Sequence, residues 1–218
     1  MLKIKKYKLF IFFIIFFHTS IFASRNNWIF WERTGIFGDV NKNVSLAITQ
    51  KNWFDKSGWT EIDFNQEVKL RVKGENFIGF DPEYDLVKGN EPGDYTRIFT
   101  PTCNIYNKFK IAKIGFNSTF LASFRFIEYQ DYFAYCAFKI NLDFLKYKNV
   151  TFYVNTKFYY NFHNLQKPDR NRSSFGARGK VNKHLELDFC YLLQKDKLAY
   201  GQPWQDKNIL HLSINLLI

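Results

Sequence analysis

The stretch Leu210-His211-Leu212-Ser213-Ile214-Asn215-Leu216 places large aliphatic side chains at every second residue and polar ones between them. Successive side chains of a β-strand point to opposite faces, so this pattern describes a strand with one apolar and one polar face. The same period recurs upstream. Leu185, Leu187, Phe189, Tyr191 and Leu193 alternate with Glu186, Asp188 and Cys190. Val150, Phe152, Val154, Phe158 and Tyr160 alternate with Thr151, Tyr153, Asn155, Lys157 and Tyr159, and Phe138, Ile140, Leu142 and Phe144 with Lys139, Asn141 and Asp143. Ile62, Phe64, Val68, Leu70 and Val72 alternate with Glu61, Asp63, Asn65, Glu67, Lys69 and Arg71. Further strands are predicted at 27–37, 43–51, 76–86, 95–105, 109–129 and 173–182, and helical spacing is hard to find after residue 24. The fold class is all-β.

Composition agrees. The chain has 218 residues, 46% apolar and 20% aromatic, with 26 Phe. So many large apolar side chains offset the entropy of ordering and exclude a disordered protein. No run after residue 23 approaches the roughly 20 apolar residues of a spanning helix, which excludes a helical membrane protein. Residues 1–23 read as a signal peptide: Lys3, Lys5, Lys6 and Lys8 precede an apolar stretch from Leu9 to Phe17, and Ile21-Phe22-Ala23 ends on a small residue. Cleavage there lowers the net charge from +11 to +7 and leaves residues 24–218 as one domain. Cys103, Cys136 and Cys190 are odd in number and lack the C-x-x-C spacing of a zinc or redox site. They read as small apolar filler within strands, with no cofactor or metal implied.

The connections alternate in size. Short polar turns are predicted at Lys73-Gly74-Glu75-Asn76, Asn107-Lys108, Lys146-Tyr147-Lys148-Asn149 and Asn182-Lys183, and longer loops at 87–94, 162–173 and 195–207. Two architectures compete. A soluble secreted β-sandwich buries the apolar set between its sheets, whereas a transmembrane β-barrel turns it toward lipid and keeps the polar set inside. Strands of ten to fourteen residues exceed the usual five or six, charged residues sit on the polar face, and short turns alternate with long loops. All three favour a single antiparallel transmembrane barrel. Trp53, Trp59, Tyr132, Tyr160 and Phe162 suit interfacial girdles. Eleven strands are legible, but a bacterial barrel is expected to have an even number. The expectation is therefore ten strands, if 27–37 is not in the wall, or twelve, if 109–129 hides a turn.

The order of features also resembles a known group. Trp28 and Trp31 are followed by Asn41-Lys42-Asn43-Val44-Ser45-Leu46, then Arg125-Phe126-Ile127-Glu128-Tyr129, Phe158-Tyr159-Tyr160-Asn161, Gly176-Ala177-Arg178 and His211-Leu212-Ser213-Ile214-Asn215-Leu216. Together they resemble the bacterial outer-membrane barrel family DUF2490, of unknown function, over nearly the whole chain after residue 23. The resemblance implies a Gram-negative outer-membrane location, with membrane lipid and the barrel assembly machinery as partners. It brings no activity, cofactor or catalytic residue. Barrels of this kind usually end on an aromatic residue, whereas this chain ends on Ile218.

One constellation suggests chemistry. His211 and Ser213 share a strand face, and Glu186 or Asp188 on a neighbouring strand would orient the imidazole for nucleophilic attack on outer-leaflet lipid. The alternation already demands polar lumen residues at these positions, so the reading adopted is non-enzymatic: a narrow channel or wall protein of the outer membrane. The lipid-modifying enzyme through His211 and Ser213 is the alternative. His163 and His184 lack partners at ligand spacing. Lys167-Pro168-Asp169-Arg170-Asn171-Arg172 reads as a solvated basic loop, and export argues against nucleic acid. Tyr153, Tyr159, Lys69, Arg71, Arg125 and Glu67 are expected to project inward and partly plug the lumen, with Leu187, Phe189, Leu212 and Ile214 facing lipid.

Overall fold

The computed structural model describes residues 28–89, 91, 93–111, 114–129, 133–162, 169–196 and 205–218; residues 1–23, His163, Tyr132 and Lys167-Pro168 lie outside that set. Within it the chain forms β1 (Trp28–Asn41), β2 (Val44–Asp55), β3 (Gly58–Lys73), β4 (Asn76–Lys88), β5 (Tyr95–Ile111), β6 (Ile114–Ile127), β7 (Phe133–Tyr147), β8 (Val150–Asn161), β9 (Arg170–Asn182), β10 (Leu185–Asp196) and β11 (Gln205–Leu217). Each strand pairs with its sequence neighbours, and β1 closes on β11 to complete a barrel. That closure removes every sheet edge.

The structure corrects the strand count. The barrel has eleven strands, neither ten nor twelve. The described part of segment 27–37, from Trp28 on, belongs to the wall as β1, and it pairs with β11 in parallel, from Trp28 opposite Asn208 to Phe37 opposite Leu217. Every other pair is antiparallel. An odd number forces one parallel seam, so the start of β1 and the end of β11 sit at opposite rims. The sandwich alternative falls with the closure. The stretch 109–129 does contain a break, between β5 and β6, but Asn107-Lys108 is strand and β5 runs on to Ile111.

At one rim, here called the short-turn end, the connections Lys42-Asn43, Gly74-Glu75 and Lys148-Asn149 are two residues each. Gly74 supplies a positive φ of 59°, and Lys148 adopts 51°, the left-handed geometry that tight hairpins require. At the other rim, the long-loop end, connections reach eight residues, between β8 and β9 and between β10 and β11. Strands run from 12 to 17 residues.

The side chains are distributed inside-out. Phe64, Phe80, Ile105, Phe120, Phe138 and Phe175 stand exposed on the outer wall, while Thr49, Asp63, Asn104, Ser123, Asn141 and Ser213 are buried in the lumen. Several polar side chains on the outer wall pair with one another: Gln50 donates to Asn52 at 3.0 Å, and Thr156, Ser173 and Asn171 hydrogen-bond together, while Glu32, opposite Asn52 and Leu212, and Gln66 share the same outward face. Leu187 and Phe189 are exposed as expected. Leu212 lies on the outer face too, but Phe30 and its neighbours Phe54 and Leu210 close over it, leaving it 7% exposed.

Among the wall glycines, Gly176 is hemmed in from both neighbouring strands. Gly176 sits between Tyr153 and Cys190 in register, and a Cβ there would come 2.6 Å from both the Tyr153 hydroxyl and the Cys190 Cβ. Gly176→Ala is therefore expected to cost about 1–3 kcal/mol through overpacking, read as a lower urea midpoint at unchanged slope.

Candidate functional site

Because the polar face of each strand turns inward, the lumen gathers the chemistry of the chain. Its charges segregate. β3 and β4 contribute Glu61, Asp63, Glu67, Asp81, Glu83 and Asp85, while β7, β8 and β9 across the lumen contribute Lys139, Lys157, Arg170, Arg172, Arg178 and Lys180. Of the six side chains expected to project inward, Tyr153, Tyr159, Lys69, Arg125 and Glu67 stand in the lumen, while Arg71 lies exposed at the short-turn rim over the Phe77 ring.

The lumen is closed toward the long-loop end. Arg172 lies 4.9 Å from the Trp31 ring centre, 5.8 Å from that of Trp53 and 5.2 Å from that of Tyr159. The two indoles contact each other at 4.0 Å between centres. A guanidinium held over three aromatic faces gains cation–π attraction where water is excluded. It also donates through Nε to Gln194 at 2.6 Å and through Nη1 to the Tyr159 hydroxyl at 2.9 Å. Above it Arg170 reaches Asp196 at 2.5 Å, and Lys207 reaches the same carboxylate at 3.0 Å. Beside it Lys51 bridges Asp63 at 3.3 Å and Glu83 at 2.7 Å, while the Trp53 indole donates to Asp63 at 2.9 Å. Asp63 is 2% exposed.

Toward the short-turn end the lumen widens into a vestibule of about 840 Å³. Phe37, Glu67, Lys69, Tyr106, Lys139 and Arg178 line its inner part. Its charges are partly paired: Lys69 with Glu67 at 2.8 Å, Arg178 Nη2 with both oxygens of Asp143 at 2.7 Å, and the Tyr106 hydroxyl donating to Glu67.

The sequence-derived relay is not assembled. His211 pairs with Cys190, and its Nδ1 lies 3.6 Å from the Cys190 sulfur. Ser213 pairs with Asp188, is 2% exposed, and donates to Asn215 at 3.0 Å. Asp188 instead accepts from the Tyr153 hydroxyl at 2.6 Å, and Glu186 from Asn215 at 3.3 Å. Among the described residues no carboxylate orients the imidazole and the Ser213 hydroxyl does not meet it, and both side chains face the lumen. His184 lies at the short-turn rim with Nδ1 3.1 Å from the Leu217 carbonyl. A second reading also changes: Arg170 and Arg172 do not belong to a solvated loop but to β9, and both enter the lumen.

Among the described residues, Glu61, Asp63 and Asp85 bring carboxylate oxygens within 4.8 Å of one another. Lys51 and Trp53 already engage Asp63, and Arg125 stands 3.6 Å from Asp85. Two cations thus balance the trio within the protein. Cys103, Cys136 and Cys190 are free thiols, exposed, half-buried and buried respectively.

No family model matches the chain, and no curated protein matches it.

Proposed function

We propose that this chain is a non-enzymatic outer-membrane β-barrel of the DUF2490 type, exported by a signal peptide over residues 1–23. Its role is that of a wall protein or a very narrow channel. The inside-out distribution carries the reading. A barrel in water would expose Phe64, Phe80, Phe120, Phe138 and Phe175 to solvent, a continuous apolar belt far larger than monomeric soluble proteins tolerate. In lipid the same belt is the matching surface, and the closed ring leaves no backbone group unpaired at an edge. Arg172 packed among Trp31, Trp53 and Tyr159 leaves little path for solutes.

Fractionation tests the location: the protein is expected in the detergent-soluble outer-membrane fraction and to shift on a gel when heated. A single Cys at position 189, replacing Phe189 (45% exposed) in a chain lacking the native three, should react with a lipid-soluble maleimide and resist a water-soluble one. Reaction with both reagents at similar rates, or recovery in the soluble periplasmic fraction, sinks the reading. In planar bilayers conductance should be small or absent; large steady steps would contradict the closed lumen.

A further inference from the structure

Arg33 on β1 and Lys139 on β7 enter the lumen from opposite walls, with four strands between them one way round the barrel and five the other. Lys139 lines the vestibule, and Arg33 lies 5.4 Å from the ring centre of Phe37, which lines it as well. Lys139 is within electrostatic reach of Lys157, its cross-strand partner, and then of Arg33, and His211 stands within reach of Arg33, Lys51 and Lys139. Among the described residues neither has a carboxylate within the 4.0 Å of an ion pair. The Nε of Arg33 is buried without a hydrogen-bond partner.

The carboxylates in the field of Arg33 are Glu67, Asp188, Asp81 and Glu83. Three are held by closer donors: Glu67 by Tyr106 and Lys69, Asp188 by Tyr153, Glu83 by Lys51. Asp81, on the acidic wall beside Glu67 and Glu83, keeps one buried carboxylate oxygen without a hydrogen-bond partner and makes no ion pair with Arg33. Two facing cations in a lumen shielded from bulk water repel each other. A dianion between them exchanges that repulsion for two charge-assisted hydrogen bonds. Neutral donors stand close in the register. Thr49, opposite Gly35, and Asn104, opposite Leu121, each keep a buried polar atom without a partner.

We propose that Arg33 and Lys139 form a binding site for a phosphate-type oxyanion, entered from the short-turn end through the vestibule. The inference rests on the lumen alone and stands apart from the membrane reading. A vestibule of about 840 Å³ admits a small phosphate ester as readily as the free ion.

Calorimetric titration of the full chain folded in detergent, at low chloride, tests this with two ligands, inorganic phosphate and glycerol phosphate. Saturable binding to one site is expected. Lys139→Met and Arg33→Met should each weaken it at least tenfold, Lys139→Arg should retain it, and Lys183→Met, at the vestibule rim, should change it less than twofold. Tighter binding of glycerol phosphate would assign the site to esters and tighter binding of inorganic phosphate to the free ion; either supports it. Thermal unfolding supplies an independent reading. Without phosphate Lys139→Met should melt higher than the native chain, because one of two opposed charges is gone, and added phosphate should no longer raise its melting temperature. Absence of saturable heat, equal weakening by Lys183→Met and Lys139→Met, or a phosphate-free Lys139→Met chain that is less stable or unfolded would each overturn the proposal.

Discussion

Replacing Lys51 with Met is expected to destabilise the barrel by about 3 kcal/mol, the lower end of the cost of removing one partner from a buried ion pair. Lys51 holds two carboxylates at once, Asp63 at 3.3 Å and Glu83 at 2.7 Å. Asp63 is 2% exposed and stands beside Glu61 and Asp85 on the acidic wall. Without the ammonium, the Trp53 indole remains as its neutral donor while the neighbouring carboxylates repel it. The cost sits at the lower end because Lys51 and Glu83 side chains each keep a quarter of their surface accessible. Asp63→Asn should cost much less, about 1 kcal/mol, since Lys51 retains Glu83 and the amide can still accept from Trp53. Urea unfolding of the three chains, refolded under one set of conditions, measures both values. Equal losses for Lys51→Met and Asp63→Asn would mean that the lysine does not organise the acidic wall.

The faces of the strands were legible because period-two alternation is a local property. Phe64, Val68 and Leu70 alternate with Asp63, Glu67 and Lys69 within one short segment, and the structure puts the first set outside and the second inside. The seam was not legible. Whether β1 meets β11 in parallel depends on how the whole ring closes, and no residue of β1 records it locally. Requiring an even count therefore removes a strand that the pattern places correctly, or adds one that it does not contain.

Two further misreadings share a physical cause. Charge density usually marks a solvated loop, yet in an inside-out barrel charges belong on the strand face that looks inward. Charge density makes Arg170 and Arg172 read as loop, although Arg170, Arg172, Ser174, Gly176 and Arg178 keep strict alternation, with the uncharged Asn171 and Ser173 at the outward positions. Asn107-Lys108 likewise has turn composition but continues β5, with Lys108 paired to Asn117. The closure by Trp31, Trp53, Tyr159 and Arg172 joins residues from β1, β2, β8 and β9. Only the three-dimensional ring brings such positions together, so the plugging was foreseeable in kind and, of the closing four, in Tyr159 alone. The His211 and Ser213 pairing failed for a related reason: two residues apart on one face does not fix what stands across from each, and Cys190 and Asp188 occupy those places.

An Arg at position 80 separates the membrane from water as the surroundings of the outer wall, which an Arg at Leu212 does not. Leu212 is covered by Phe30, so a charge there is buried in protein under either reading. Phe80 is 50% exposed, lies near the middle of β4, and pairs with Val68 and Cys103 on its two neighbours. Its outward surroundings are apolar on both sides. In lipid, Phe80→Arg brings a guanidinium to the level of the acyl chains, at a cost of about 2–4 kcal/mol relative to Phe80→Ala. In water the same charge on a half-exposed position is close to neutral against alanine, within about 0.5 kcal/mol. Comparing Arg with Ala cancels the ring contacts that both variants lose. The measurement is equilibrium unfolding in lipid bilayers, with Lys88→Arg at the rim as a control in which the charge is already present and no cost is expected. A Phe80→Arg chain as stable as Phe80→Ala would place the outer wall in water, and the apolar belt would then require another protein surface rather than lipid to cover it.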